Sequence, residues 1–196
     1  MSYRLGLTGS IGMGKSTAAA MFAEMGHPVW DADATVHRLY APDGAAVEPV
    51  AAIFPMARAA NGGIDRKVLR TELRRNPSGY EQLDAAVHPL LLAARERFVA
   101  ENDRAPLVIF DIPLLLETGI QAQMDGVAVV STNPEVQRAR VLARPGMTPT
   151  QFEQILSRQM PDQAKRALAD WVIPTDTMDA SRTSIQSICK EILDDA

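Results

Sequence analysis

Short apolar runs separated by helical periodicity dominate the first part of the chain and recur later. Arg4–Thr8 (RLGLT) reads as a strand, and the run Lys15–Met25 after its glycine-rich turn reads as a helix. Gly26 stands where a helix ends, and His27–Asp31 (HPVWD) rises as a second strand into Asp31-Ala32-Asp33. Leu107–Phe110, Gly126–Val130 and Trp171–Ile173 supply three more strands. None of these runs alternates with polar residues, the mark of strands buried on both faces of a parallel sheet. Helical patterns fall between them, so the expected architecture is α/β: a five-stranded parallel sheet with helices on both faces.

The spacing between strands is uneven. The stretch from Ala34 to Arg104 is far longer than one crossover helix needs. It carries helical periodicity at Val68–Leu73 and Leu83–Phe98, punctuated by Pro42, Pro55, Gly62-Gly63 and Pro77. The expectation is one domain with a core at 1–33, 105–133 and 167–196, a helical substrate-binding insert at 34–104 and a second insert, a lid, at 134–166. His88-Pro89 reads as a helix start, with proline at the first helical position.

Bulk properties narrow the classes. The chain has 196 residues, 46% hydrophobic and 22% charged, and a net charge of −4. Such a balance argues against a broad nucleic-acid surface. Basic residues nonetheless cluster between Pro134 and Arg166, where Arg138, Arg140, Arg144, Arg158, Lys165 and Arg166 outnumber Glu135, Glu153 and Asp162. A local basic segment in an acidic protein suits a small anion. The single cysteine, Cys189, rules out an internal disulfide and a cysteine-built zinc site. The opening MSYRLGLTGS enters the glycine turn without an apolar h-region, and no apolar run approaches a membrane span. The expectation is a cytoplasmic protein with small-molecule partners, no nucleic acid and no membrane, as a monomer or small homo-oligomer.

The glycine turn carries the chemistry. Gly9 to Ser16 (GSIGMGKS) fits G-x-x-x-x-G-K-[ST] at each fixed position, with a strand before it and a helix after it. In a phosphate loop of this P-loop NTPase type, backbone N–H groups and the helix N-terminus face phosphate, Lys15 reaches the β/γ-phosphates and the Ser16 hydroxyl ligates Mg²⁺. A dinucleotide fingerprint fails at Thr17, where a third glycine or alanine belongs, and leaves Lys15-Ser16 unexplained. A guanine-reading N-K-x-D tetrapeptide does not occur, and Asp111 is followed by Ile112-Pro113 rather than by a water-polarising glutamate. These features point to a kinase, whose nucleophile is a substrate group.

Asp33, at the end of the second strand, is a carboxylate where α/β ligands bind. It suits the proton of an attacking hydroxyl; the competing reading is a cap on a helix beginning at Ala34. Asp31 reads as a turn or salt-bridge residue. Arg140 and Arg144 share one helical face and, with Arg138, read either as a lid over the γ-phosphate or as a solvated face.

At this point the chain resembles the dephospho-coenzyme A kinase family. The resemblance rests on LTGSIGMGKST (Leu7–Thr17), the D-A-D triplet (Asp31–Asp33), GIDR (Gly63–Arg66) with Leu69, His88-Pro89, DIPLLLE (Asp111–Glu117), Gln137 with Arg140 and Arg144, Gln159, and Ala169-Asp170. It implies that Mg·ATP phosphorylates the ribose 3′-hydroxyl of dephospho-coenzyme A, the last step of coenzyme A synthesis. It makes Asp33 the base, with Lys15 and Arg140 on the transferring phosphoryl group. The residues Gly9, Ser10, Ile11, Gly12, Met13, Gly14, Lys15, Ser16 and Thr17, together with Arg144, would hold ATP. Thr8, Asp33, His88, Leu114 and Leu115 would face the acceptor, and Asp111 would hold a metal-bound water. The chain departs from the family pattern at Ser10, at Phe54-Pro55 and at Pro174-Thr175-Asp176, where adenine contacts are in doubt. Two alternatives stay open: another nucleoside or nucleotide kinase of this fold, and a nucleotide-binding regulator without transfer.

Overall fold

The computed structural model describes residues 2–194. Its strands are β1 (Tyr3–Thr8), β2 (Val29–Asp31), β3 (Leu107–Asp111), β4 (Gly126–Ser131) and β5 (Trp171–Pro174). They form a parallel sheet in the order β2-β3-β1-β4-β5. Central β1 is in register with β3 at Leu5↔Ile109 and with β4 at Leu5↔Gly126. Connections leave β1 towards one side and later return to its other side, so a crevice opens at its C-terminal end.

The helices follow as α1 (Lys15–Glu24), α2 (Ala32–Tyr40), α3 (Val47–Ile53), α4 (Arg66–Arg75), α5 (Gly79–Glu101), α6 (Pro134–Leu142), α7 (Pro149–Leu156), α8 (Asp162–Ala167) and α9 (Met178–Asp194). Leu5, Leu7, Leu107, Ile109, Ala128, Val130 and Ile173 pack with Phe22 of α1 and Ile185, Ile188 and Cys189 of α9. The other face carries α8 against β4, and Leu115 lies against Gly6, where a Cβ would come within 2.6 Å of its Cδ2. Helix α1 stops as its sequence requires. Gly26 takes φ 88, its N–H reaches Ala23 O, and His27 N–H reaches Phe22 O, the paired bonds of a Schellman end.

The chain divides into two compact units, residues 1–31 with 102–196, and residues 32–101. The segment 134–166 belongs to the sheet-containing unit. The second unit holds α2 to α5 around Tyr40, Val47, Val50, Phe54, Ile64, Leu69, Leu73 and Val87. The Asp65 side chain accepts from Lys67 N–H and Val68 N–H and so starts α4. Pro55 opens a short 3₁₀ turn, where its fixed φ is at home, and Phe54 before it is buried.

Three local expectations are corrected. Strand β2 ends at Asp31, so Asp33 lies in the first turn of α2 and not at a strand end; the helix begins at Ala32, which also removes the simple N-cap reading. His88-Pro89 lies inside the long helix α5 and does not start one; the missing proline N–H interrupts only one rung. Arg144 falls past the end of α6, whose C-cap is Ala143, so it does not share a helical face with Arg140. Among the described residues no helix is long and apolar enough to cross a membrane.

Candidate functional site

The phosphate loop sits between β1 and α1 at the C-terminal edge of the sheet, and side chains from distant segments hold its peptide planes. The Gln137 amide donates to Ile11 O at 2.8 Å, and the Thr175 hydroxyl donates to Met13 O at 2.7 Å. A trans peptide points its C=O and N–H to opposite sides. Anchoring these carbonyls outward therefore aims the N–H groups of Gly12 and Gly14 the other way, into the cradle a phosphate needs. Ile11 N–H itself donates to Gln159 Oε1 at 3.0 Å.

Glycine is required at both turning points. Gly12 has φ 79, and an added Cβ would lie 2.4 Å from Val141 Cγ2; Gly14 has φ 90 and caps α1. Ser10 is buried and avoids the left-handed region; its carbonyl accepts from Met13 N–H at 3.1 Å. The Met13 side chain is buried in the core, so only its backbone is offered to a ligand. Ser16 and Thr17 are exposed in the first turn of α1.

Lys15 Nζ donates to Asp111 Oδ1, and the Asp111 carboxylate is almost fully buried at the end of β3. Lys15 and Asp111 are neighbours because β1 and β3 pair directly, with Leu7 opposite Asp111. Arg140 donates to Thr175 Oγ1 at 3.3 Å and to Thr175 O at 2.6 Å, holding a guanidinium next to the Thr175–Met13 bond. Asp176 Oδ1 accepts from Thr132 Oγ1 at 2.7 Å and from Asn133 N–H at 3.3 Å, and these bonds hold its carboxyl below the usual range. The departure at Pro174-Thr175-Asp176 thus has a local role: Thr175 and Asp176 fasten the end of β5 to the phosphate loop and the end of β4.

Other expected residues fall in different settings. Thr8 is fully buried and donates to Pro113 O at 3.0 Å, which ties the end of β1 to the loop after β3. Leu114 is exposed, whereas Leu115 is completely buried against Gly6 and presents nothing to solvent. Arg144 is exposed, and Arg138 pairs with Glu153 of α7 at 4.0 Å. Asp33 and His88 are both exposed in the helical unit.

Lys165 is the clearest correction to the basic cluster. Its ammonium is fully buried, 2.7 Å from Glu117 Oε1 and 2.9 Å from Oε2, and is not available to a ligand. Glu117 also accepts from Met160 N–H at 2.9 Å. Burial pushes the Glu117 carboxyl up, but the bonds from Lys165 and Met160 outweigh it and hold it below the ordinary range. Removing one partner of such a pair costs on the order of 3–5 kcal/mol, because the other charge stays buried.

The bracing roles of Gln137, Gln159, Thr175 and Glu117 escaped the sequence reading. Glutamine and threonine are common surface residues, and nothing in their spacing reports a partner more than a hundred positions away. Asp170 is a similar case: its carboxylate accepts from Val127 N–H at 2.8 Å and sets the start of β4.

The chain as a whole is similar to known proteins. The family model "Dephospho-CoA kinase" matches residues 3–180. The chain is 53% identical over 192 residues to the dephospho-CoA kinase of Jannaschia sp., covering 98% of each. It is 52% identical over 194 residues to that of Cereibacter sphaeroides, covering 99% of this chain and 98% of the relative. Among solved structures, TT1252 from Thermus thermophilus superposes with a TM-score of 0.84 at 32% identity, covering 97% of both chains. With a model match across most of its length and half its residues shared with full-length relatives, the chain belongs to the dephospho-CoA kinase family.

Proposed function

We infer that the protein is an ATP-dependent kinase that phosphorylates the ribose 3′-hydroxyl of dephospho-coenzyme A. The observation that carries the reading is the braced phosphate loop with Lys15 at its end, set in a chain whose relatives at about half identity carry this activity by name. The loop supplies backbone donors and Lys15 a movable cation, the parts phosphoryl transfer needs for positioning and charge neutralisation.

The acceptor hydroxyl attacks the γ-phosphorus. A new oxygen–phosphorus bond forms as the bond to the bridging oxygen of ADP breaks, and the hydroxyl proton passes to the Asp33 carboxylate. Asp33 is exposed in the first turn of α2, two residues from the end of β2, so its carboxylate is open to a substrate. Lys15 and Arg140 take up the charge on the transferring group. Arg144 clamps ATP from outside α6, His88 contributes to acceptor binding, and Leu114 is the exposed apolar side chain of the loop after β3.

Mg²⁺ fits the donor set. The described residues contain no group of three or more His, Cys, Asp or Glu side chains that could hold a metal, so a cage built of protein ligands is not on offer. One exposed hydroxyl, Ser16, and one carboxylate, Asp111, suit an ion that keeps waters and phosphate oxygens as its other ligands. When bound, the ion neutralises charge on the β- and γ-phosphates.

A coupled ADP-release assay with Mg·ATP tests the reading, comparing dephospho-coenzyme A with AMP, CMP and uridine. ADP release that depends on dephospho-coenzyme A supports it. Turnover of a monophosphate or nucleoside without dephospho-coenzyme A turnover overturns it, and ATP binding with no transfer to any of them would mark a regulator.

A further inference from the structure

The segment from Gln159 to Lys165 touches two parts of the nucleotide-binding unit at once. Gln159 Oε1 accepts from Ile11 N–H of the phosphate loop at 3.0 Å. The next residue, Met160, donates its N–H to Glu117 Oε1 at 2.9 Å, and Lys165 of α8 meets the same carboxylate at 2.7 Å. Glu117 lies in the loop after β3 that also receives the Thr8 hydroxyl at Pro113 O. The peptide joining Gln159 to Met160 is therefore gripped through its N–H by Glu117, while the Gln159 side chain grips the phosphate loop.

We propose that Glu117 is a positioning residue for nucleotide binding. By holding Met160 and Lys165 it sets Gln159 against Ile11, and so fixes the Ser10–Ile11 peptide of the phosphate loop, one plane before the Ile11–Gly12 peptide that Gln137 holds.

Three observations converge on this role. First, Lys165 is completely buried while Glu117 is only partly so, an arrangement too demanding to persist without a close, well-bonded pair. Second, the Ile11 N–H and C=O belong to two successive peptide planes, and both are held by glutamines, Gln159 and Gln137. Holding both planes leaves Gly12, at φ 79, little freedom to turn its N–H out of the cradle. Third, Glu117 supplies the only anchor on the Met160 N–H among the described bonds, and that anchor lies one residue from Gln159. Glu117 touches no reacting atom; its effect passes entirely through Gln159.

The inference rests on ATP being the nucleotide, and the experiment separates the two ideas. ATP affinity is measured by equilibrium titration, KM for ATP and for dephospho-coenzyme A by steady-state kinetics, and Tm by calorimetry. Gln159→Leu removes the acceptor for Ile11 N–H and should weaken ATP about five- to tenfold, the size of one neutral hydrogen bond. KM for dephospho-coenzyme A should stay within twofold. Glu117→Leu/Lys165→Met removes the Met160 acceptor without stranding a buried charge, so it remains foldable; it should match Gln159→Leu, and combining all three changes should weaken ATP no further. Glu117→Gln/Lys165→Met restores an oxygen for Met160 N–H and should return ATP affinity to within twofold of the parent. Parental ATP affinity in Glu117→Leu/Lys165→Met overturns the proposal, as does a parallel rise in both KM values with a fall in Tm that glutamine does not rescue. A parent protein that fails to bind ATP would sink the functional reading instead.

Discussion

The hydroxyl of Thr175 donates to the carbonyl of Met13 at 2.7 Å, across the gap between β5 and the phosphate loop. The same oxygen accepts from Arg140, so one side chain supports both the loop backbone and an arginine of the basic segment. Thr175→Val keeps the shape and deletes the bond, leaving the buried Met13 carbonyl short of a partner. The expected loss is about 1–3 kcal/mol of stability with weaker ATP binding. Thr175→Ser should stay near the parent in both. Denaturant midpoints and ATP titrations on the two variants check this.

Two glycines with similar backbones separate strain from crowding. Gly26 (φ 88) has nothing within 4 Å of an added Cβ, whereas at Gly12 (φ 79) the Cβ would lie 2.4 Å from Val141 Cγ2. Gly26→Ala should cost about 1–2 kcal/mol, the left-handed penalty alone, with ATP affinity unchanged. Gly12→Ala should cost more and should also weaken ATP, since the loop must shift to make room. Equal effects on ATP would mean that crowding at Val141 does not reach the cradle.

Asp33→Asn tests the proposed base. Turnover should drop roughly 10²–10⁴-fold, the range of acid–base catalysis, while ATP affinity stays close to the parent. Unchanged turnover would assign the side chain to the first turn of α2, where a carboxylate favours the helix N-terminus by about 0.3–1 kcal/mol.

Lys15 and Asp111 form a pair in which the carboxylate is the more deeply buried member. Lys15→Ala should abolish measurable transfer and also lower Tm, since Asp111 keeps its charge without that cation. Adding Asp111→Ala should recover stability but not activity. A double variant no more stable than Lys15→Ala would show that the ion pair carries little of the fold's stability.

Glu117 predicts an acid limb in stability. Its carboxyl titrates below the ordinary value when folded, so its contribution is complete above about pH 4.3, the unfolded value, and is lost as pH falls through the lower folded value. Urea midpoints measured from pH 6 to pH 3 should fall less steeply in Glu117→Gln/Lys165→Met than in the parent. Identical acid limbs would remove Glu117 from the groups that set it.

Local chemistry was enough to read the sheet and the phosphate loop. Short apolar runs without alternation, bounded by turn residues, fit strands covered on both faces, and the ends of β1, β3, β4 and β5 fall within a residue of where the runs stop. Gly9, Gly12, Gly14 and Lys15 were legible because backbone approach to phosphate permits few other residues there. Readings built on neighbours in sequence fared worse. Asp33 entered a helix, Arg144 fell off one, and Pro89 was absorbed within α5, since packing rather than propensity decides where helices begin and end. Lys165 shows the limit most clearly: by composition it is one more cation in a basic segment, and only the meeting of α8 with the loop after β3 turns it into a buried partner of Glu117. The bonds of Gln137, Gln159 and Thr175 to the phosphate loop span more than a hundred residues of chain. The sequence by itself determined that a phosphate could be held and where; only the tertiary structure decided which side chains hold the loop in the shape to do it, because a hydrogen bond is specified by position in space and not by order along the chain.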